Sequence, residues 1–544
     1  MVHWFDDLLD HVRPFLGDKR DVVINGGLSV SGLQHVGRLR GEIVLGQCLA
    51  RALRDEGRHV TQILTQYTQD QWKGKDWQIA QFPAARSLRA GEPWGQEGKM
   101  YVGWRLIDVP DPHGCHANWV DHYWSEFASY LDAYAPDVHV VSTTELYRRE
   151  EMRAIVAELA PKAEQVREVV NKYRGRKPYP EGWIPFEPYC NTCKRVGNAR
   201  AVKVHGIVSV DYECDCGDRG SSPLELGKLN WRLEWPAVWK VLHVDVEPFG
   251  KDHAAPGGSR DSCKDLAQNV MGFTPPFGIP YEWVGLGERG VDKGDMGSSD
   301  AIGFGPRTWG AVGDPEVLRY TYLSVPPSRR IVLELSKMDA YHDSFDAGER
   351  AHHGRPATEE EQLHARTFTL AALHPLPAAL PFTLPYRHAA YFSQIAPKDD
   401  PVPWVLGRLE DTGVLDRPLA EGERNRVARR MEQAHAWVEG YAPENKVELL
   451  GRLTDEVRSS LSEADRRALG MWAARAAAID WREEAIKESM VALTSSGSLP
   501  VKTPEFFRAL YLVLLGKERG PRAAPFLAVL DKDFVIQRVR EAAV

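Results

Sequence analysis

Residues 21–25, DVVIN, read as a strand buried on both faces, and the chain then bends through Gly26-Gly27-Leu28-Ser29-Val30-Ser31-Gly32-Leu33-Gln34-His35-Val36-Gly37. A helix follows to about Glu56, with Leu39, Ile43, Val44, Cys48 and Leu53 at helical spacing and Gly57 as its stop. The next run, HVTQIL, is again a strand. Two strands joined through a helix must lie parallel, so this segment predicts the first βαβ unit of a doubly wound, Rossmann-type α/β sheet.

Further units of the same kind follow. A helix near Trp119–Tyr134 leads to the strand VHVVS and then to an amphipathic helix over about Glu150–Tyr173. The alternation resumes with HVDVEPF, a helix over about 259–271, and YEWVGL. From about 331 strand signals fade, and 358–374, 423–439, 445–459, 462–489 and 504–515 read as helices. The expected plan is a Rossmann-type α/β domain over 1–330 with an insertion at about 185–225, a helical connecting region over 331–400, and an all-α domain over 401–544.

The bend after the first strand offers free N–H groups at a helix start, where phosphate binds, and glycines that let a nucleotide approach the backbone. A tight turn with a surface histidine would look the same. The spacing is neither the GxGxxG of dinucleotide binders nor the GxxxxGK[ST] of P-loops, which argues against hydride transfer and simple NTPase chemistry. With 68 Lys+Arg against 76 Asp+Glu, any nucleic acid must be held by a local patch. RNRVARR at 424–430 and KERGPR at 517–522 are the densest basic clusters of the helical half, although such runs are commonly just solvated helix faces. The acidic opening MVHWFDDLLD and the lack of an apolar run of ~18–20 residues predict a cytoplasmic protein without a membrane span.

Four of the seven cysteines are clustered. Cys190-x2-Cys193 and Cys214-x-Cys216 supply two thiolate pairs, the arrangement that delivers four soft ligands to a tetrahedral zinc. Cys216 is the weakest member, because knuckle pairs usually have at least two intervening residues. Asp111, Cys115, His116 and His122 place a carboxylate, a thiolate and two imidazoles within twelve positions, a set that also suits a metal. Neither cluster shows an open coordination position, so both read as structural.

INGGLSVSGLQHVG, VPDPHGCH, VEPFGKDHAAPGGS and LLGKERGPRAAPFLAVLDKDFVIQR, in that order, resemble class I lysyl-tRNA synthetases over roughly residues 20–540. The resemblance implies an ATP-dependent ligase, with Mg, that activates lysine or a related amino acid as an adenylate and passes it to tRNA. His35 and Gly37 then match the HIGH motif and contact ATP, Gly27 and Ser29 line the amino-acid pocket, and Trp231, Asp252 and His253 lie against the substrate. It also implies a second zinc through Asp111, Cys115, His116 and His122, and a C-terminal helical domain that reads the anticodon.

Departures from the family are local. The loop matching KMSKS reads Lys293-Gly294-Asp295-Met296-Gly297-Ser298-Ser299-Asp300, with aspartates at both lysine positions. Met296, Ser298 and Ser299 remain as site residues. A like-charge pair at about 4 Å costs roughly 4 kcal/mol at an effective dielectric near 20, so attraction for phosphate turns to repulsion of that order. Lys293 and Arg38, which stands where the family has Asn, are the candidate compensating cations. After the second strand, where the family is acid-rich, only Asp70 is anionic. Gly41 replaces a family Glu, and Glu42 is expected about 100° around the helix from it. Two alternatives follow from these departures: transfer of the activated acyl group to a non-tRNA acceptor, or a catalytically silent tRNA-binding protein.

Overall fold

The computed structural model describes residues 2–82, 96–175, 177–495 and 497–544. Among these, two compact units are resolved: Met1–Trp309 with Pro315–Glu334 and Pro356–Leu376, and Gly310–Asp314 with Leu335–Arg355 and Pro377–Val544.

The first unit is built on a sheet of five parallel strands: β1 (Asp21–Leu28), β2 (His59–Gln66), β3 (His139–Ser142), β4 (Val246–Gly250) and β5 (Phe277–Tyr281). Their spatial order is β5, β4, β1, β2, β3. β1 and β2 pair along their whole length, Asp21 opposite His59 through Leu28 opposite Gln66. The chain builds outward from β1 to β3 and returns to the other side for β4 and β5. The winding therefore reverses between β1 and β4, and the carboxyl ends of those strands open onto the crevice where such sheets bind ligands.

All five residues of β4 are buried, as expected of a parallel strand covered on both faces. The cover is the helix Trp231–Leu242, whose Leu233, Trp235, Val238 and Trp239 pack with Cys263, Leu266 and Ala267 of the helix Ser259–Asn269. Each buried leucine or valine among these contributes ~1.5–3 kcal/mol on leaving water.

Several elements differ from the sequence-based expectations. β1 runs three residues further, through Gly26 and Gly27, because those glycines sit in the strand and admit neighbours against it. The expected helix over 150–173 is two, Glu150–Leu159 and Ala163–Lys172, broken around Pro161. YEWVGL is not one strand: β5 is FGIPY, whose Pro280 is tolerated at the sheet edge, while Val284–Glu288 joins a separate small sheet with Val291–Asp295 and Ile331–Leu333. The cysteine segment carries a three-stranded antiparallel sheet, Ala199–His205, Ser209–Cys214 and Arg219–Pro223, with Gly206 at positive φ turning the first hairpin.

The second unit is helical. Buried Arg430 of Glu421–Gly440 places its guanidinium on both oxygens of Asp346, at 2.7 and 2.9 Å. The segment 445–459 is helical only from Asp455. Before that its backbone is bound by tertiary partners: Val447 N–H donates to Gln394, Leu450 N–H to the Leu514 carbonyl, and Arg538 to the carbonyls of Leu450 and Gly451. The expected helix over 462–489 is Glu463–Ala476 and Glu483–Ser495. No helix among the described residues is long and apolar enough to cross a membrane.

Candidate active site

A cavity of about 440 Å³ opens where β1, β4 and β5 end. Its wall contains Gly27, His35, Gly37 and Arg38 from the glycine bend, Trp231, Asp252 and His253 from the β4 side, and Asp295, Met296, Gly297, Ser298 and Asp300 from the serine loop. The two signature segments, about 260 positions apart, therefore share one chamber. Arg38 Nε donates to Ser298 Oγ at 3.3 Å, and the Val36 amide donates to the Phe304 carbonyl at 2.9 Å, which closes the loop onto the bend. Ser29, Lys293 and Ser299 stand off this wall. Lys293 Nζ lies 3.5 Å from Glu288 on the hairpin before the loop. Arg38 forms no ion pair among the described residues and lines the cavity, where its charge acts on His35 and Glu42.

His35 is buried, and burial with Arg38 nearby pushes its imidazole down to about 3. It is therefore neutral at physiological pH and acts as a polar group without charge. Trp231 lies 5.3 Å from Trp235, stacked, and 5.0 Å from His253, so two indoles and an imidazole form an apolar face suited to methylenes. Burial lowers His253, against the pull of Asp252.

Two carboxylates that sequence reasoning did not assign to the site lie on the same wall. Glu247, the second residue of β4, accepts from Asn25 at 3.2 Å, from the indoles of Trp235 and Trp239 at 2.9 and 2.8 Å, and from Arg260 at 2.5 Å. Glu42 has one hydrogen-bonded side-chain partner among the described residues, the hydroxyl of Tyr281 at 2.5 Å, and no ion pair. Burial raises it to about 7, with the Tyr281 bond and the more distant charge of Arg38 pulling the other way. It is carried by a π turn, Arg40–Leu45, in which Gly46 N–H bonds back to Gly41 O. That i→i+5 turn holds one residue more than an α turn, so it absorbs the offset that would have carried Glu42 off the site face. Two glycines make this possible. A Cβ on Gly26 would lie 2.2 Å from Glu42 Cβ, and one on Gly41 would lie 2.1 Å from the Tyr281 ring.

Asp70 takes no part in the cavity wall. It pairs at 2.5 Å with buried Lys228, which also meets Glu234 at 2.8 Å. Burial works against the Lys228 charge, yet Asp70 and Glu234 hold its ammonium well above the ordinary range. The signal for Glu247 was in the sequence: an acid inside an otherwise apolar strand must be paired. Nothing in the pattern marked the π turn.

The two metal-ligand clusters are each drawn together. The Sγ atoms of Cys190 and Cys216, and of Cys193 and Cys214, lie 3.7 Å apart, close to the ~3.8 Å edge of a tetrahedron with ~2.3 Å zinc–sulfur bonds. Cys216 closes the set despite its short spacing. In the second cluster His122 Nδ1 lies 3.1 Å from Asp111 and 3.3 Å from Cys115 Sγ, and His116 Nδ1 lies 3.1 Å from that sulfur. Asp111 is oriented by backbone N–H groups of His113, Cys115 and His116 at 2.8, 2.7 and 2.6 Å. Both donor sets suit zinc.

The chain matches the family described as tRNA synthetases class I (K) over residues 2–374, and an anticodon binding domain over 441–543. It is similar to a lysine–tRNA ligase of Aeropyrum pernix, 41% identical with 100% of this chain and 98% of that protein covered. Lysine–tRNA ligases of Pyrococcus horikoshii and Thermococcus kodakarensis are each 31% identical, with 99% of both chains covered.

Proposed function

The chain belongs to the class I (K) tRNA synthetase family, and from that premise we propose that its cavity activates lysine with ATP and passes the lysyl group to tRNA. The observation that carries this reading is the single chamber walled by the glycine bend and the serine loop, with a buried carboxylate that forms no ion pair among the described residues. Glu42, assisted by the Tyr281 hydroxyl, is the counter-ion for the lysine ammonium. Trp231, Trp235 and His253 cover its methylenes, and Gly27 leaves room beside them. An ammonium buried here meets a charge-assisted acceptor in place of lost water.

ATP lies across the bend, with His35 and Gly37 against it and Arg38 toward the phosphates, beside Met296 and Ser298. A carboxylate oxygen of lysine attacks the α-phosphorus, the bond to the bridging oxygen breaks, and pyrophosphate leaves with the electron pair; Mg bound with the ATP would supply neutralising charge at the phosphates. A terminal ribose hydroxyl of tRNA then attacks the carbonyl carbon of the resulting adenylate and gives up its proton, so that the lysyl ester forms as the bond to phosphate breaks and AMP leaves with the electron pair. Preorganised positive charge at the phosphates is the main lever on such a step. The C-terminal helices over 441–543 are the anticodon-reading part, and the two clusters hold zinc that braces loops without chemistry.

Amino-acid-dependent ATP–pyrophosphate exchange across the standard amino acids, run with total tRNA present and followed by charging, tests this. Exchange and charging with lysine are expected. Exchange without charging would move the acyl group to another acceptor, and tRNA binding without exchange would make the chain a silent binder. Elemental analysis is expected to give two zinc per chain, falling to one in Cys190→Ser.

A further inference from the structure

The serine loop has lost both lysines, yet each aspartate in their place is bound by a cation from elsewhere. Asp295 accepts from Arg330 Nε at 2.5 Å, and Asp300 accepts from Lys75 Nζ at 2.6 Å. These two pairs are unlike. Arg330 also bonds Asp292, so its fork is committed to bracing the hairpin that precedes the loop. Lys75 has one carboxylate partner, is 41% exposed, and sits at the end of a flexible four-carbon stem. Asp300 lines the cavity.

The segment carrying Lys75 is fixed in place. It precedes the short helix Asp76–Ala80, whose Gln78 donates to the Ser31 carbonyl of the glycine bend at 2.7 Å and accepts from the Lys75 amide at 2.8 Å. Trp77 of that helix and the Ser298 carbonyl both press on Gly32, where an added Cβ would lie 2.9 and 2.4 Å from them. Bend, helix and loop therefore meet at one point, and Lys75 is the cation that bonds Asp300 there, with Lys73 acting on the same carboxylate from further off.

Resting on the reading that this cavity activates an amino acid with ATP, we infer that Lys75 is a phosphate-binding residue, delivered by a separate element and parked on Asp300. When the triphosphate enters, the ammonium moves from the carboxylate to the phosphate oxygens opposite Arg38, and returns when pyrophosphate leaves. The loop aspartate is then a docking point that keeps a displaced lysine in reach. Arg330 does not move.

The test compares Lys75→Ala, Asp300→Ala and the double variant Lys75→Ala/Asp300→Lys in the full chain, by lysine-dependent ATP–pyrophosphate exchange with tRNA present. Wild-type exchange is the reference, and its absence would defeat the activation reading, not this inference. Lys75→Ala is expected to lower kcat/KM for ATP by about 10²-fold, the typical loss of one such donor, with lysine affinity and melting temperature unchanged. Asp300→Ala is expected to cost less than about tenfold, and the double variant, which returns the cation to the loop, to recover most of the loss. If Lys75→Ala leaves kcat/KM for ATP unaltered, or if Asp300→Ala matches its loss and the double variant recovers nothing, the pair is only a strut and the inference falls.

Discussion

Glu42 and Glu247 are both buried carboxylates on one cavity wall, and they are prepared for opposite fates. Glu247 is held by two indoles, an amide and an arginine, so its charge is already spent on the fold. Glu42 has a tyrosine hydroxyl and no bonded cation, and burial outweighs that hydroxyl and the charge of Arg38 to leave it with a proton affinity near neutrality. A paired buried acid is scaffold, and an unpaired one is a receptor: the cavity keeps one of each, within reach of the same ligand.

That contrast breaks first at Glu247. Glu247→Ala leaves Arg260 buried without its partner, a loss of about 3–5 kcal/mol, and urea unfolding should show it. Glu42→Gln should do the reverse: no loss of stability at pH 8, since a buried charge is removed, but a roughly 10- to 100-fold higher KM for lysine, from the ~1.5–3 kcal/mol of a hydrogen bond to a charged group. The KM for ATP is expected to stay put. An equal effect of both substitutions on stability would erase the distinction between them.

The pH profile sharpens it further. Glu42 is charged above about 7, so lysine affinity is present there and is lost as pH falls through that value. Its effect on folding has the opposite sign. The folded chain keeps a proton at Glu42 that the unfolded chain releases near pH 4.5, so this group favours the fold at low pH and ceases to as pH rises through about 7. KM for lysine measured from pH 6 to 8.5 should fall in the wild type and be flat in Glu42→Gln. The smallest effect is that of Tyr281→Phe, which removes one hydrogen bond of ~0.5–1.5 kcal/mol and should raise KM for lysine by a few-fold.

Much of this site was legible because its parts are contiguous in sequence. The bend with His35 and Gly37, and the ligand sets ending in Cys216 and His122, could be read from spacing alone or from likeness to a family. Other parts depend on contacts between distant segments. That Glu42 faces the cavity follows from the space left by Gly26, 16 positions earlier, and from Tyr281 on another strand. That Asp70 is spent follows from Lys228, and that Lys293 stands aside follows from Glu288. A charge can be seen in a sequence, but whether a partner has already claimed it depends on the fold. The fold itself was read well where strands alternate with helices, and less well at β5, where a proline in an edge strand hid the run.

The π turn has a practical corollary. Because it carries one residue of slack between the bend and the helix beginning at Gly46, the direction of the ammonium-facing side chain can be re-indexed by deleting or adding a single position there while Cys48, Leu49 and Leu53 keep their seats in the core. Attempts to retune which amino acid this scaffold accepts therefore have a natural adjustment point, upstream of everything that holds the helix in place.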